Sequence, residues 1–221
     1  KHLLILNNDT ELFPGTLNAA LTTLESAPNI GAVGGKLILP DGRLQEAGSI
    51  IWKDGSCLGY ARGLDPNDPV AMFRRDVDYC SAAFLLTPKN IFDRLGGFDI
   101  RYEPAYYEET DYCMRLWQAG LRVVYEPTAM LLHHEFASSK VMTDATDLHG
   151  PHQEIFVRTH HESLKQHHAH NADAILEARF ASQSKRRRML FIDDRIPSRP
   201  AGSGFSRSHE ILSGVVERGH A

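Results

Sequence analysis

The chain has 221 residues, 42% of them hydrophobic and 24% charged, with a formal net charge of −4. These values suit a globular protein of one large domain, or one domain and a shorter piece, and give no electrostatic reason to expect a nucleic-acid partner. No apolar run is long enough to span a bilayer, and Cys57, Cys80 and Cys113 have neither a disulfide framework nor metal-type spacing, which favours a reducing, cytoplasmic compartment.

Leu3–Leu6 reads as a buried strand running into Asn7-Asn8-Asp9-Thr10. Polar residues at the end of a buried parallel strand are where open α/β sheets bind ligands, and Asp9 suits a divalent cation beside a diphosphate. A plain strand-to-helix turn explains the same residues. Pro14 fits the first turn of a helix reaching Glu25. Ile30–Leu39 reads as a strand, Pro40-Asp41-Gly42 as a turn, and Arg43–Trp52 as a return strand or crossing. Gly34-Gly35 lacks the spacing of a nucleotide-binding fingerprint. Residues 53–75 read as a long surface loop, Val77–Thr87 as a strand, and Asn90–Leu95 as a short helix ended by Gly96-Gly97. Small residues at Ser81, Ala82 and Ala83 suit either a ligand's approach or tight packing.

Tyr106–Gly120 carries the strongest pattern. Glu108, Glu109 and Asp111 precede or open an amphipathic helix, where the backbone dipole favours negative charge. Acids in a first turn serve as ordinary capping, yet three in four positions behind two tyrosines exceed what a cap needs. A carboxylate held near apolar rings has a raised pKa and suits a general base.

Leu121–Tyr125 is a strand, interrupted at Pro127 and continued by Ala129–Leu132 to His133-His134. Residues 138–150 read as loop and Pro151–His170 as a helix. The histidines of that helix (His160, His161, His167, His168 and His170) read as a solvated face, since no carboxylate or cysteine pattern completes a metal site. Asn171 caps a helix to Ala181. Residues 182–188 form a basic linker, followed by a strand at Met189–Ile192, a glycine loop at Gly202–Gly204 and a helix at Ser206–Arg218. A strand, glycine loop and helix open many nucleotide-binding α/β domains. Both ends of the chain read as cuts in a longer protein.

Four stretches taken in order resemble the family-2 glycosyltransferases of rhamnosyltransferase type. They are LLILNNDTELFPGTL from Leu3, VGGKLILPDGRLQEAG from Val33, VDYCSAAFLLTPKNIFDRLGGFD from Val77, and YYEETDYCMRLWQAGLRVVYEPTAMLLHHEFASS from Tyr106. The resemblance covers roughly residues 1–170 and implies an α/β GT-A fold, with a mixed sheet flanked by helices and lacking the N-terminal nucleotide-binding strands. It implies an inverting, metal-dependent transfer from a nucleotide-sugar donor to a glycan or lipid-linked acceptor in cell-surface polysaccharide biosynthesis. The implied place is the cytoplasm, with peripheral association at the inner face of the plasma membrane.

By the same resemblance, Asn7 and Asp9 meet the donor diphosphate, and Asp9 with His133 holds Mg²⁺ or Mn²⁺, His134 being the neighbouring candidate. Glu109 is the base, standing where the family has Asp, with Asp111 and Glu108 as alternates. Ser81, Ala82, Ala83, Asp99 and Tyr107 border the acceptor. Asn7 replaces the first Asp of the family's Asp-x-Asp motif. The implied domains are a GT-A portion at 1–181 and the linker at 182–188; separately, the tail RRRMLFIDDRIPSRPAGSGFSRSHEILSGVVERGH looks like the start of a second, GT-B-type transferase at 189–221. The family's nucleotide-recognising half is expected to precede this chain, so the piece alone is expected to be inactive. The competing expectations are a non-catalytic carbohydrate-binding or scaffolding domain and, on the histidines, a metal-dependent hydrolase.

Overall fold

The computed structural model describes residues 1–134, 142–183, 191, 197 and 203–217. The chain divides into two compact units, Lys1–Ser184 and Lys185–Ala221. In the second unit one helix is described, α6 (Ser203–Glu217). Its start at Ser203 absorbs Gly204, expected in a loop. The linker from residue 184 on and the strand expected at Met189–Ile192, apart from Phe191, lie outside the described residues.

In order, the first unit contains β1 (His2–Leu6), β2 (Thr10–Leu12), α1 (Thr16–Glu25), β3 (Ile30–Ile38), β4 (Leu44–Ala47), β5 (Ser49–Ile51) and β6 (Cys57–Gly59). There follow β7 (Arg75–Asp76), β8 (Phe84–Pro88), α2 (Lys89–Arg94), α3 (Glu108–Gln118), β9 (Arg122–His133), α4 (Met142–Leu164) and α5 (Ile175–Ala178). The main sheet runs β1-β8-β3-β9-β2, with β4 added to β3 and β7 added to β9. β3 and β9 are parallel and the other pairs antiparallel, so the sheet is mixed. One face buries Ala20 and Leu24 of α1 against Val33, Leu37, Phe84 and Leu131. A second cluster gathers Tyr112, Cys113 and Leu116 of α3 with Ala32, Leu85, Val123 and Phe156.

Several elements differ from the sequence reading. β1 is an antiparallel, half-buried strand, with Leu6 exposed, rather than a buried parallel one. The expected loop at 53–75 includes β6 and a 3₁₀ turn at Pro69–Ala71. Val77–Thr87 splits: the strands are Arg75–Asp76 and Phe84–Pro88, and Tyr79 between them pairs singly with Ser49. β9 runs through Pro127, because its register jumps from Gly34↔Tyr125 to Lys36↔Met130 and the intervening residues bulge outward. Glu126 organises that bulge, accepting from Thr128 N and Oγ1 and from Thr23 Oγ1.

The loop expected at 138–150 and the helix expected from Pro151 to His170 differ: among the described residues α4 already runs from Met142, carries Pro151 inside it, kinks at His160 (φ −113°, ψ 19°) and ends at Leu164. The helix expected up to Ala181 is a 3₁₀ turn plus the four residues of α5.

Gly34-Gly35 is explained by packing. A Cβ on Gly34 would overlap Cys80, and one on Gly35 would overlap the Ala129 carbonyl at the β9 bulge. Replacing Gly34 by Ala therefore overpacks the centre of the sheet. Chemical denaturation of Gly34→Ala is expected to show a loss of about 1–3 kcal/mol or more, against no loss or a small gain for Gly→Ala at the open, helical Gly150.

Candidate active site

Two polar corners are joined by β4. The first is the turn after β1. Thr10 Oγ1 donates to the Asn7 carbonyl at 2.7 Å, Asn7 N–H to the Ala83 carbonyl at 3.2 Å, and His134 N–H to the Asp9 carbonyl at 2.9 Å. The pairing of Thr10 with His133 brings the side chains of Asp9 and His133 together, Oδ1 to Nε2 at 3.2 Å, and both are nearly buried. Asn7 Nδ2 lies 3.4 Å from the same Nε2, and Gln45 Oε1 lies 2.7 Å from Nδ1 on the other side of the ring. His134 is half-exposed and pairs with Glu11 at 2.8 Å, away from Asp9.

The second corner is the start of α3. Tyr106 and Tyr107 both have φ of 76°, a left-handed backbone that costs a non-glycine residue roughly 1–3 kcal/mol. The turn persists because it is clamped. Tyr107 OH donates to the Gly55 carbonyl at 2.9 Å and its ring packs on Phe156, while His152 of α4 donates from Nδ1 towards the carbonyls of Ala105 and Tyr106, each at 3.1 Å.

The helix so launched begins with Glu108 and Glu109. Each is half-buried overall, but each has an Oε2 sealed from solvent without a hydrogen-bond partner among the described residues. Burial, then the charge of Glu108 and more weakly that of Glu46, pushes Glu109 up to about 8. Burial raises Glu108 as well. The Cys57 thiol is pushed up to about 12 by burial and then by Glu109, and burial holds the Tyr79 phenol well above its usual range.

Glu46 links the corners. It is buried, accepts from Ser49 Oγ at 3.0 Å and from Ser81 N–H at 3.2 Å, and its neighbour Gln45 reaches His133. Neither residue stood out in the sequence. A Gln-Glu pair inside an otherwise apolar return strand was the available signal.

Asp111 is buried and both its oxygens are engaged, Oδ2 by Arg115 Nε at 2.7 Å and Oδ1 by His160 Nε2 at 2.7 Å. Asp99 caps the 3₁₀ turn at Ile100–Tyr102 and pairs with the Arg101 guanidinium, which holds its carboxyl below the usual range. The Tyr107 hydroxyl is committed to Gly55. Ser81 and Ala82 are half-buried and Ala83 buried, next to Asn7. His160 and His167, read as a solvated face, are buried: His160 binds Asp111, and His167 donates from Nδ1 to the Ile51 carbonyl at 2.7 Å. The kink in α4 and the return of the chain across β5 turn these two inward.

Among the described residues, no group of three or more His, Cys, Asp or Glu is placed to hold a metal. The first corner offers two such groups, a carboxylate and an imidazole, with Asn7 beside them. That set fits an ion completed by phosphate oxygens and water, as Mg²⁺ usually is. The 3.2 Å between Asp9 Oδ1 and His133 Nε2 is close to the roughly 3 Å between neighbouring ligands of an octahedral ion with bonds of about 2.1 Å.

No protein-family model matches the chain. It is 30% identical over 168 residues to the N-acetylglucosaminyl-diphospho-decaprenol L-rhamnosyltransferase of Mycobacterium tuberculosis, a match covering 70% of this chain and 53% of that enzyme. It is 32% identical over 144 residues to the O-antigen biosynthesis protein RfbC of Myxococcus xanthus, covering 62% of this chain and 11% of that protein. The chain thus spans about half or less of the length of these relatives. Among solved structures it is similar to GalNAc-T7 with UDP, GalNAc and Mn²⁺, with a TM-score of 0.52 and 12% identity over 75% of this chain and 34% of that one. The mixed sheet flanked by helices is the GT-A glycosyltransferase fold.

The state of Glu109 predicts a pH dependence of stability. Its value is about 8 in the fold against an ordinary 4.5. Between those values the native chain keeps a proton that the unfolded chain releases, so Glu109 lowers stability as pH rises through this window and no further above it. Glu109→Gln removes the term. Denaturation across pH 4 to 9 is expected to show equal stabilities at the acid end and a growing advantage of the variant towards pH 8.

Proposed function

We propose that this chain carries the catalytic part of a rhamnosyltransferase-like glycosyltransferase that moves a sugar from a nucleotide-sugar donor to a glycan or lipid-linked glycan in surface polysaccharide synthesis. One observation carries the reading: an Asp9–His133 corner and a buried Glu109 oxygen without a hydrogen-bond partner among the described residues, the first reached from β4 by Gln45 and the second by the charge of Glu46, on a GT-A sheet. The two relatives support the class of reaction by their names.

Asp9 and His133 hold a divalent cation, Mg²⁺ or Mn²⁺, and Asn7 donates from its amide to the donor diphosphate. The cation, when bound, offsets charge developing on the leaving diphosphate. Glu109 accepts the proton of the acceptor hydroxyl, whose oxygen forms a bond to the anomeric carbon as the bond to the diphosphate breaks. Attack from the face opposite the leaving group inverts that centre. Ser81 and Ala82 line the acceptor side, with Ser81 fixed through its N–H by Glu46. Asp111, with both oxygens bonded, holds α3 in place. Asp99 and Tyr107 shape the surrounding turns and are not acceptor contacts in this reading. The second unit remains, on the sequence resemblance alone, the beginning of a GT-B-type transferase.

The test is sugar transfer by the intact protein with UDP-, dTDP- and GDP-sugars, with and without Mn²⁺. Metal-dependent transfer is expected with one donor. Glu109→Gln is expected to lower kcat by about 10²–10⁴-fold with donor affinity kept. In the unsubstituted protein kcat/KM is expected to fall below about pH 8, as Glu109 takes up its proton. Full activity in Glu109→Gln would remove Glu109 as the base. Glycan binding without turnover of any donor would favour a binding domain on the same fold.

A further inference from the structure

We propose that Gln45 is a positioning residue that fixes the tautomer of His133, so that the imidazole presents a bare Nε2 lone pair beside Asp9. The inference deepens the metal reading of that corner and rests on it only for the identity of what the lone pair meets.

β4 pairs with β3 as Leu37↔Glu46 and then Ile38↔Leu44, so Gln45 is the extra residue of a β-bulge. In a regular strand Gln45 and Glu46 would project from opposite faces. A bulge leaves its extra residue outside the ladder and re-aims the side chain. Here Gln45 turns to the His133 ring on β9, while Glu46 reaches Ser49 and Ser81.

Gln45 Oε1 can only accept, and it lies 2.7 Å from His133 Nδ1. A proton on Nδ1 meets that acceptor, and the neutral ring in that tautomer leaves Nε2 bare. That atom lies 3.2 Å from Asp9 Oδ1, itself an acceptor, and 3.4 Å from Asn7 Nδ2, a donor. Two electron-pair donors thus converge on one point, an arrangement suited to a cation. Gln45 and His133 are 7% and 6% exposed, so water does not compete for the bond and its loss leaves buried polar atoms unpaired. The arrangement parallels the outer-shell partners that orient metal-binding histidines. A neutral amide does so without adding a further charge to a region already holding Asp9 and Glu46.

The test has a readout independent of any metal. Imidazole ¹⁵N NMR of the metal-free protein, with His133 assigned by the signals lost in His133→Gln, is expected to show a protonated Nδ1 and an unprotonated Nε2. Gln45→Leu is expected to shift His133 towards a mixture of tautomers, and Gln45→Glu, which still accepts from Nδ1, to retain the original form. Mn²⁺ binding in the presence of UDP, followed by electron paramagnetic resonance, is expected to weaken by about 10–100-fold in Gln45→Leu and to survive in Gln45→Glu. A His133 protonated at Nε2 in the unsubstituted protein, or a tautomer unchanged in a folded Gln45→Leu, would overturn the proposal. The expected tautomer shift with no Mn²⁺ binding in any version would uphold the role of Gln45 and overturn the cation reading of the corner.

Discussion

A buried carboxylate, Asp111, sets the position of everything at the second corner. Taking such a charge out of water costs several kcal/mol and is offset only when its lone pairs are satisfied. Asp111 meets that condition with Arg115 four residues along the same helix and His160 from α4. Arg115 also donates to the carbonyls of Leu95 and Gly97 after α2, at 2.6 and 2.7 Å, and His160 meets Gln118 near the end of α3 at 3.0 Å. One ion therefore ties α3 to the end of α2 and to α4. Glu109 stands two residues before it, on the same first turn. The left-handed tyrosines and the Glu108 and Glu109 oxygens, buried without a hydrogen-bond partner among the described residues, are unfavourable in themselves, and they persist because this clasp and the His152 contacts leave the helix start no other place.

Much of this was legible in the sequence, because it depended on local pattern. The α3 helix followed from its periodicity and its terminal Gly120, and Asn7, Asp9 and His133 were singled out by the resemblance of their stretches to family-2 glycosyltransferases. The same local logic could not sort the carboxylates. Glu108, Glu109 and Asp111 look alike on paper, and what separates Asp111 is an arginine on its own helix together with a histidine forty-nine residues later. His160 and His167 were misread for the same reason, whereas His161 and His170 are exposed as expected. A polar helix face looks solvated until a buried partner is placed against it, and the partners of His160 and His167 come from α3 and β5.

The least legible part was β4. Its bulge exists only in its pairing with β3, and pairing registers are non-local. Without the bulge, one of Gln45 and Glu46 would turn away from the site. With it, a four-residue strand supports the imidazole at one corner and the Ser81 backbone beside it, while the charge of Glu46 reaches Glu109 at the other. Gly34-Gly35 shows the converse. A glycine pair that invites a phosphate-binding reading is required by the approach of Cys80 and of the Ala129 carbonyl.

The placement of Glu109 is a compromise between basicity and ionisation. At about 8, only about a tenth of the carboxyl is ionised at pH 7, yet a carboxylate of that affinity takes a hydroxyl proton far more readily than an ordinary one. Burial is the largest cause of the shift, ahead of Glu108. The same desolvation excludes water, which would otherwise compete with an acceptor hydroxyl for the activated position. Exposing Glu109 would ionise it more fully and make it a weaker base in a wetter site. The strained tyrosine turn thus has a chemical counterpart, because it holds the carboxylate where it is both uncomfortable and useful.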